Sequence, residues 1–385
     1  MATFFAACTL GLEQVLAREL EALGADGVQP KRGGASFRGD LRAGMRACLW
    51  LRSAVRVQQE LARGTVRDRE DLYGLAASVD WRRLMTRLQT FAVDATVRNS
   101  FANDTRFPAL VVKDAVADCF RRGGGRPDVD RRKPDVPLKL VLRGTEALLY
   151  RDMSGAPLHK RGYREISHRS PLNEATAAGL LMLAEWDGRG ALLDPLCGSG
   201  TFLIEAAWMA RDRAPGLRRS FAFETWKDID SRQWSPLRLD AERRAAAGAE
   251  RALELEGNDR HPGATALARI AAREAGVPDI AISTAPLCEF APRRKPAMVA
   301  TNPPYGERLD ETDPVPTWRD LGSFLRSHCR GASAFVLCGD PELSRHLGLR
   351  ADRKDPVRNG PIDCRWLRYT IDSRAATEPA SGRGL

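Results

Sequence analysis

The chain has 385 residues, room for two or three domains, and no run of about 18 apolar residues that would span a membrane. With 43% apolar and 29% charged residues it is neither a disordered chain nor a collagen or coiled coil, and its eight scattered cysteines form no CxxC pair or zinc pattern. Net charge is +10 and uneven: residues 1–160 carry 27 basic and 19 acidic side chains, residues 161–385 carry 33 and 31, so the excess sits where a polyanion-binding module would place it.

From the N-terminus, Leu12, Val15, Leu16, Leu20 and Leu23 recur at helical spacing, and Gly24 follows as a stop. Ala35 to Gly39 reads as a short strand and Leu41 to about Ser53 as a second helix. Thr90 to Val97 alternates as a strand, Leu110 to Arg122 reads as a helix, and Gly123-Gly124-Gly125-Arg126-Pro127 ends it. Leu138 to Leu142 and Ala147 to Tyr150 form a predicted hairpin. After a linker over residues 156–172 and a helix from Asn173 to about Trp186, the pattern becomes strand, glycine loop, helix, strand, which is βαβ grammar with a largely parallel sheet. The last residues, Ser373 to Leu385, read as a frayed tail.

Two stretches carry chemistry. Asp194-Pro195-Leu196-Cys197-Gly198-Ser199-Gly200-Thr201 follows a strand and opens a helix, so its glycines let a ligand approach the main chain. It is neither a GxGxxG fingerprint, since Leu203 occupies the third glycine position, nor a Walker A loop. Asp259 ends the next strand, where an acid suits ribose hydroxyls, but it lies 59 residues beyond Gly200, which points to an insertion around residues 212–250. The second stretch is Asn302-Pro303-Pro304-Tyr305. The prolines stop the strand and fix φ, so the Asn302 amide oxygen and the Pro303 carbonyl are expected to face one space and accept both hydrogens of an exocyclic amine. Such an amine is a weak nucleophile, so orientation supplies much of its activation, and Tyr305 is expected to stack on the base.

Taken together, the glycine loop and NPPY resemble the class I S-adenosylmethionine-dependent amino-methyltransferases. Phe4 to Cys8, Arg46 to Trp50, Val112 to Ala115, Leu158 to Arg164 and Asn359-Gly360 resemble the THUMP-bearing branch that methylates guanine N2 in RNA, particularly the bacterial 23S rRNA enzymes. The resemblance implies a ferredoxin-like region (1–65), a THUMP domain (66–155), a linker (156–172), a Rossmann-like methyltransferase domain (173–372) and a tail (373–385). It places Asp194, Gly198 and Gly200, with Cys197 and Thr201 of the same loop, around the methionine part of S-adenosylmethionine. It assigns Asp259 to the ribose, Pro171 and Leu172 to the pocket lining, and Asn302, Pro303 and Tyr305 to the target base. Where the family usually sets an acid against the adenine amine this chain has Ala285, with Glu289 nearby.

The expected activity is methylation of a guanine N2 in RNA, most simply 23S rRNA, by a cytoplasmic enzyme without metal. The alternatives are guanine-N2 methylation of tRNA, adenine-N6 methylation of nucleic acid, and a non-catalytic RNA-binding assembly factor. Lys113, Arg121, Arg122 and Arg126 are candidate phosphate contacts, as are Arg161 and Arg164 around Tyr163. Within the insertion, Arg218, Arg219, Phe221, Phe223, Trp226 and Trp234 read either as part of an RNA channel or as core packing.

Overall fold

The computed structural model describes residues 1–121, 125–164, 172–305 and 313–372. It divides into two compact units: Met1–Arg161 with Arg213–Ala246, and Gly162–Asp212 with Ala247–Leu385.

The first unit is built on one seven-stranded sheet. Its strands are β1 (Ala2–Cys8), β2 (Asp26–Lys31), β3 (Gly34–Gly39), β4 (Ala54–Thr65), β5 (Phe91–Arg98), β6 (Val136–Arg143) and β7 (Glu146–Asp152), in the order β2-β3-β1-β4-β7-β6-β5. Only the β5–β6 pair is parallel. The expected ferredoxin-like and THUMP regions therefore share a sheet. Twelve-residue β4 makes this possible, because it pairs with β1 along its first half and with β7 from Gln58 to Thr65. Alternation sets the buried face: Val136, Leu138, Leu140 and Leu142 of β6 all point into the core. The helix Leu41–Trp50 starts where Asp40 accepts a hydrogen bond from the Ala43 N–H at 2.8 Å.

Within the insertion expected around residues 212–250, residues 213–246 belong to the first unit. The reason is its aromatic content. Phe221 and Phe223 stack at 5.2 Å, Trp234 meets both edge-on, and all three join the core of that unit. Trp226 lies 3.8 Å beneath the guanidinium of fully buried Arg151, which grips Asp228 through two 2.8 Å hydrogen bonds. Arg219 donates to the carbonyls of Ser154, Ala156 and Pro157. Core packing is thus the reading that holds for these aromatics. The unit boundaries also sharpen the charge asymmetry: the first unit has 36 basic and 24 acidic residues, net +12, the second 24 and 26, net −2.

The second unit carries its own seven-stranded sheet. Its strands are β8 (Leu192–Asp194), β9 (Leu255–Asp259), β10 (Ala281–Thr284), β11 (Met298–Thr301), β12 (Ser333–Cys338), β13 (Arg353–Asn359) and β14 (Ile362–Thr370), ordered β10-β9-β8-β11-β12-β14-β13. β8 to β12 are parallel, and β14 runs antiparallel to β12. From β8 the chain steps outward to β9 and β10, then returns to place β11 on the other side of β8. That reversal makes the carboxyl ends of β8 and β11 the topological switch point, where open α/β sheets bind ligands. No described helix is long and apolar enough to cross a membrane.

Candidate active site

The glycine loop leaves β8 at Asp194. Gly198 and Gly200 have φ of +52° and +77°, conformations that a side chain would strain, and a Cβ on Gly198 would meet open space. The loop is pinned from β9. Cys197 N–H donates to the Asn258 carbonyl at 2.8 Å, and Gly198 N–H donates to Asp259 Oδ2 at 2.9 Å. Gly257 permits this approach, since a Cβ there would collide with Leu203 Cδ1 and crowd the Cys197 sulfur. Thr201 then begins the buried helix Thr201–Ala210. Cys197 is buried, and burial holds its thiol well above the usual range.

Asp194 is 2% exposed and accepts from Thr301 Oγ1 at 2.7 Å and from Leu196 N–H at 3.2 Å. Burial, reinforced by the charge of Asp259, pushes its carboxyl up to about 7 despite those hydrogen bonds. A buried carboxylate with so little compensation is suited to a cationic ligand group. Asp259 lies one strand over and accepts from Gly198 and His261 N–H groups. Sequence reasoning missed Asn258, which is fully buried and bonds both main-chain groups of Ala285, at 3.1 Å to the N–H and 2.9 Å to the carbonyl. A polar residue next to a strand-end acid was the available signal. Asn258 fixes the backbone at the position where the expected adenine contact is replaced by alanine.

Directly after β11, Asn302 Oδ1 is buried and has no hydrogen-bond partner among the described residues. A buried acceptor left unpaired is costly unless a ligand supplies the donor. Pro303 is buried beside it, and the Pro304 carbonyl accepts from Trp318 Nε1 at 2.8 Å. Tyr305 departs from expectation. It is only 9% exposed, and its hydroxyl accepts from Asn359 Nδ2 at 2.9 Å, so no broad ring face is offered to a base.

The basic candidates divide. Lys113 and Arg121 stand on the helix Arg106–Arg121 beside Asp114 and Asp118, with Arg121 two-thirds exposed; Arg126 is also exposed. Arg161 is a correction: it is 2% exposed and donates to the Leu158 and Arg52 carbonyls, because the segment around it folds into the core. Arg164 is likewise turned inward, pairing with Glu174 at 3.4 Å and donating to Thr201 Oγ1 and the carbonyl of buried Leu172. Pro171 and Arg122 lie outside the described residues.

This strand order, with acids at the ends of β8 and β9 and the Asn-Pro-Pro loop after β11, defines a Rossmann-like methyltransferase domain. A family model described as RMKL-like, methyltransferase domain matches residues 161–368, and others match an RlmL ferredoxin-like domain at 3–58 and a THUMP domain at 66–152. The chain belongs to the RMKL-like methyltransferase family. It is 41% identical over 382 residues to the ribosomal RNA large subunit methyltransferase K/L of Syntrophotalea carbinolica, covering 96% of this chain and 53% of that protein. The enzyme of the same name from Methylococcus capsulatus is 38% identical, covering 98% and 52%. The chain thus spans about half the length of these curated relatives. Among solved structures, SMU.472 complexed with SAH superposes with a TM-score of 0.88 at 27% identity, covering 97% of this chain and 99% of that one. A protein described as a predicted N6-adenine-specific DNA methylase from Listeria monocytogenes gives 0.86 at 30%, covering 96% of each.

Proposed function

We propose that the chain transfers a methyl group from S-adenosylmethionine to the exocyclic N2 of a guanine in RNA, with large-subunit ribosomal RNA as the substrate. The observation that carries this reading is the buried Asn302 Oδ1 at the end of β11, without a partner among the described residues and beside the strand that ends in Asp194. The relatives named for ribosomal RNA methylation and the SAH complex support the substrate and cofactor. When bound, the cofactor supplies an electrophilic methyl on a sulfonium sulfur.

The residues present suit that group. Asp194 offers a carboxylate to the methionine ammonium, and the open space over Gly198 leaves the main chain accessible. Asp259 keeps lone pairs for ribose hydroxyls while holding the Gly198 amide. Asn302 Oδ1 and the Pro303 carbonyl accept the two amine hydrogens of the base and hold its nitrogen toward the methyl. Alignment of the reacting atoms is then the protein's main contribution. The first unit, net +12, attracts the RNA and exposes Arg121 and Arg126 for phosphate contact. A ribosomal RNA substrate sets the enzyme in the cytoplasm in this reading.

The test is methyl transfer from labelled cofactor to large-subunit rRNA, tRNA and duplex DNA, followed by nucleoside analysis. The expected product is N2-methylguanosine from rRNA, and Asn302→Ala should lower turnover by roughly 100-fold with cofactor affinity nearly unchanged. Transfer to DNA alone, N6-methyladenosine as product, or full activity of Asn302→Ala would overturn the reading.

A further inference from the structure

Building on the base-binding role of the Asn302–Pro303 loop, the geometry points to Tyr305 as a positioning residue that anchors this loop through its hydroxyl, with Asn359 and Gly339 as its socket, and not as a platform that stacks on the base. Two observations favour the anchor over the platform. The residue is 9% exposed, far less than a ring face would give. Its ring also lies against the backbone of Gly339, where any Cβ would collide with Cδ2 and Cε2.

Other observations define the anchor. Asn359 ends β13, pairs with Ile362 across the β13–β14 turn, and donates Nδ2–H to the Tyr305 hydroxyl at 2.9 Å. The Cys364 sulfur approaches the same oxygen at 3.7 Å. Upstream, the Thr301 hydroxyl is tied to Asp194 at 2.7 Å; between the two ends, the Pro304 carbonyl receives the indole N–H of fully buried Trp318. The chain from Thr301 to Tyr305 is thus fastened at both ends and once between, and φ is fixed at Pro303 and Pro304. Asn302 Oδ1 lies inside that span, so its direction depends on the anchoring of the Tyr305 hydroxyl.

The two roles predict different kinetics. A stacking residue contributes affinity for RNA and tolerates phenylalanine, which keeps the ring. An anchor contributes alignment and loses its function when the hydroxyl goes. Tyr305→Phe and Asn359→Ala should each lower kcat about 10- to 100-fold, with the KM for RNA and the affinity for S-adenosylhomocysteine within about twofold of wild type. The double variant should be no worse than either single one, because both remove one bond. Wild-type kcat in Tyr305→Phe, or a raised RNA KM with kcat unchanged in Asn359→Ala, would overturn the anchor. Hydrogen exchange separates this failure from failure of the functional reading. Exchange should quicken over residues 299–305 in both variants and stay unchanged in β9 and in the helix Pro262–Glu274; unaltered exchange refutes the anchor whatever the methyl-transfer assay shows.

Discussion

Replacing Asp194 by asparagine should stabilise the second unit at alkaline pH and weaken cofactor binding. Burial raises the Asp194 carboxyl from 3.8 to about 7 in the ligand-free fold. Between these values the folded state holds a proton that the unfolded chain has released, so stability falls as pH rises from about 4 to 7 and is level above it. The shift of about three units, at 1.36 kcal/mol each, makes the ionised form cost ~4 kcal/mol at pH 8. An asparagine carbonyl can still accept from Thr301 and Leu196, so Asp194→Asn removes the charge and keeps the hydrogen bonds. We expect a gain of ~2–4 kcal/mol at pH 8, shrinking by about 1.4 kcal/mol per unit below pH 7 and vanishing near pH 4. Urea-dependent hydrogen exchange of β8 and β11 reports this unit alone. In the wild type, binding S-adenosylhomocysteine at pH 6 should release a proton, visible in calorimetry as a heat that depends on the buffer. A gain of equal size at pH 5 and pH 8, or a loss at pH 8, would refute the reasoning.

Two further outcomes test the first unit. Trp226→Ala removes a 3% exposed indole, its hydrogen bond to the Asp135 carbonyl and the surface under the Arg151 guanidinium. It should destabilise that unit by about 3–5 kcal/mol in urea unfolding; a change below about 1 kcal/mol would show that the insertion is not part of its core. Charge reversal at Arg121 and Arg126 together should weaken RNA binding and lower the slope of log affinity against log salt by about two. An unchanged slope in filter binding would remove these residues from the RNA surface.

Much of the second unit was legible in the sequence because its chemistry is local. A strand, two glycines and a helix start lie within a dozen residues, and Asn302 to Tyr305 are consecutive. The strand ends at Asp194, Asp259 and Thr301 agree with the reading of the sequence. Three features were not legible, because each depends on distant partners. Arg161 reads as a surface cation beside an aromatic, yet the carbonyls of Arg52 and Leu158 draw it inward. Tyr305 reads as a stacking ring until Gly339 and Asn359 close around it. The aromatics of the insertion read equally as an RNA channel or as core, until Trp226 and Trp234 are seen to fill the core of the first unit.

The sequence alone therefore determined the two folds, the uneven charge and the two loops that carry the chemistry, since periodicity, composition and short motifs are properties of neighbouring residues. Tertiary structure alone decided which cations stay exposed, which aromatics are core, and which contacts tie down the loop that carries Asn302. Burial and hydrogen bonding are set by residues far apart in the chain, and no local pattern records them.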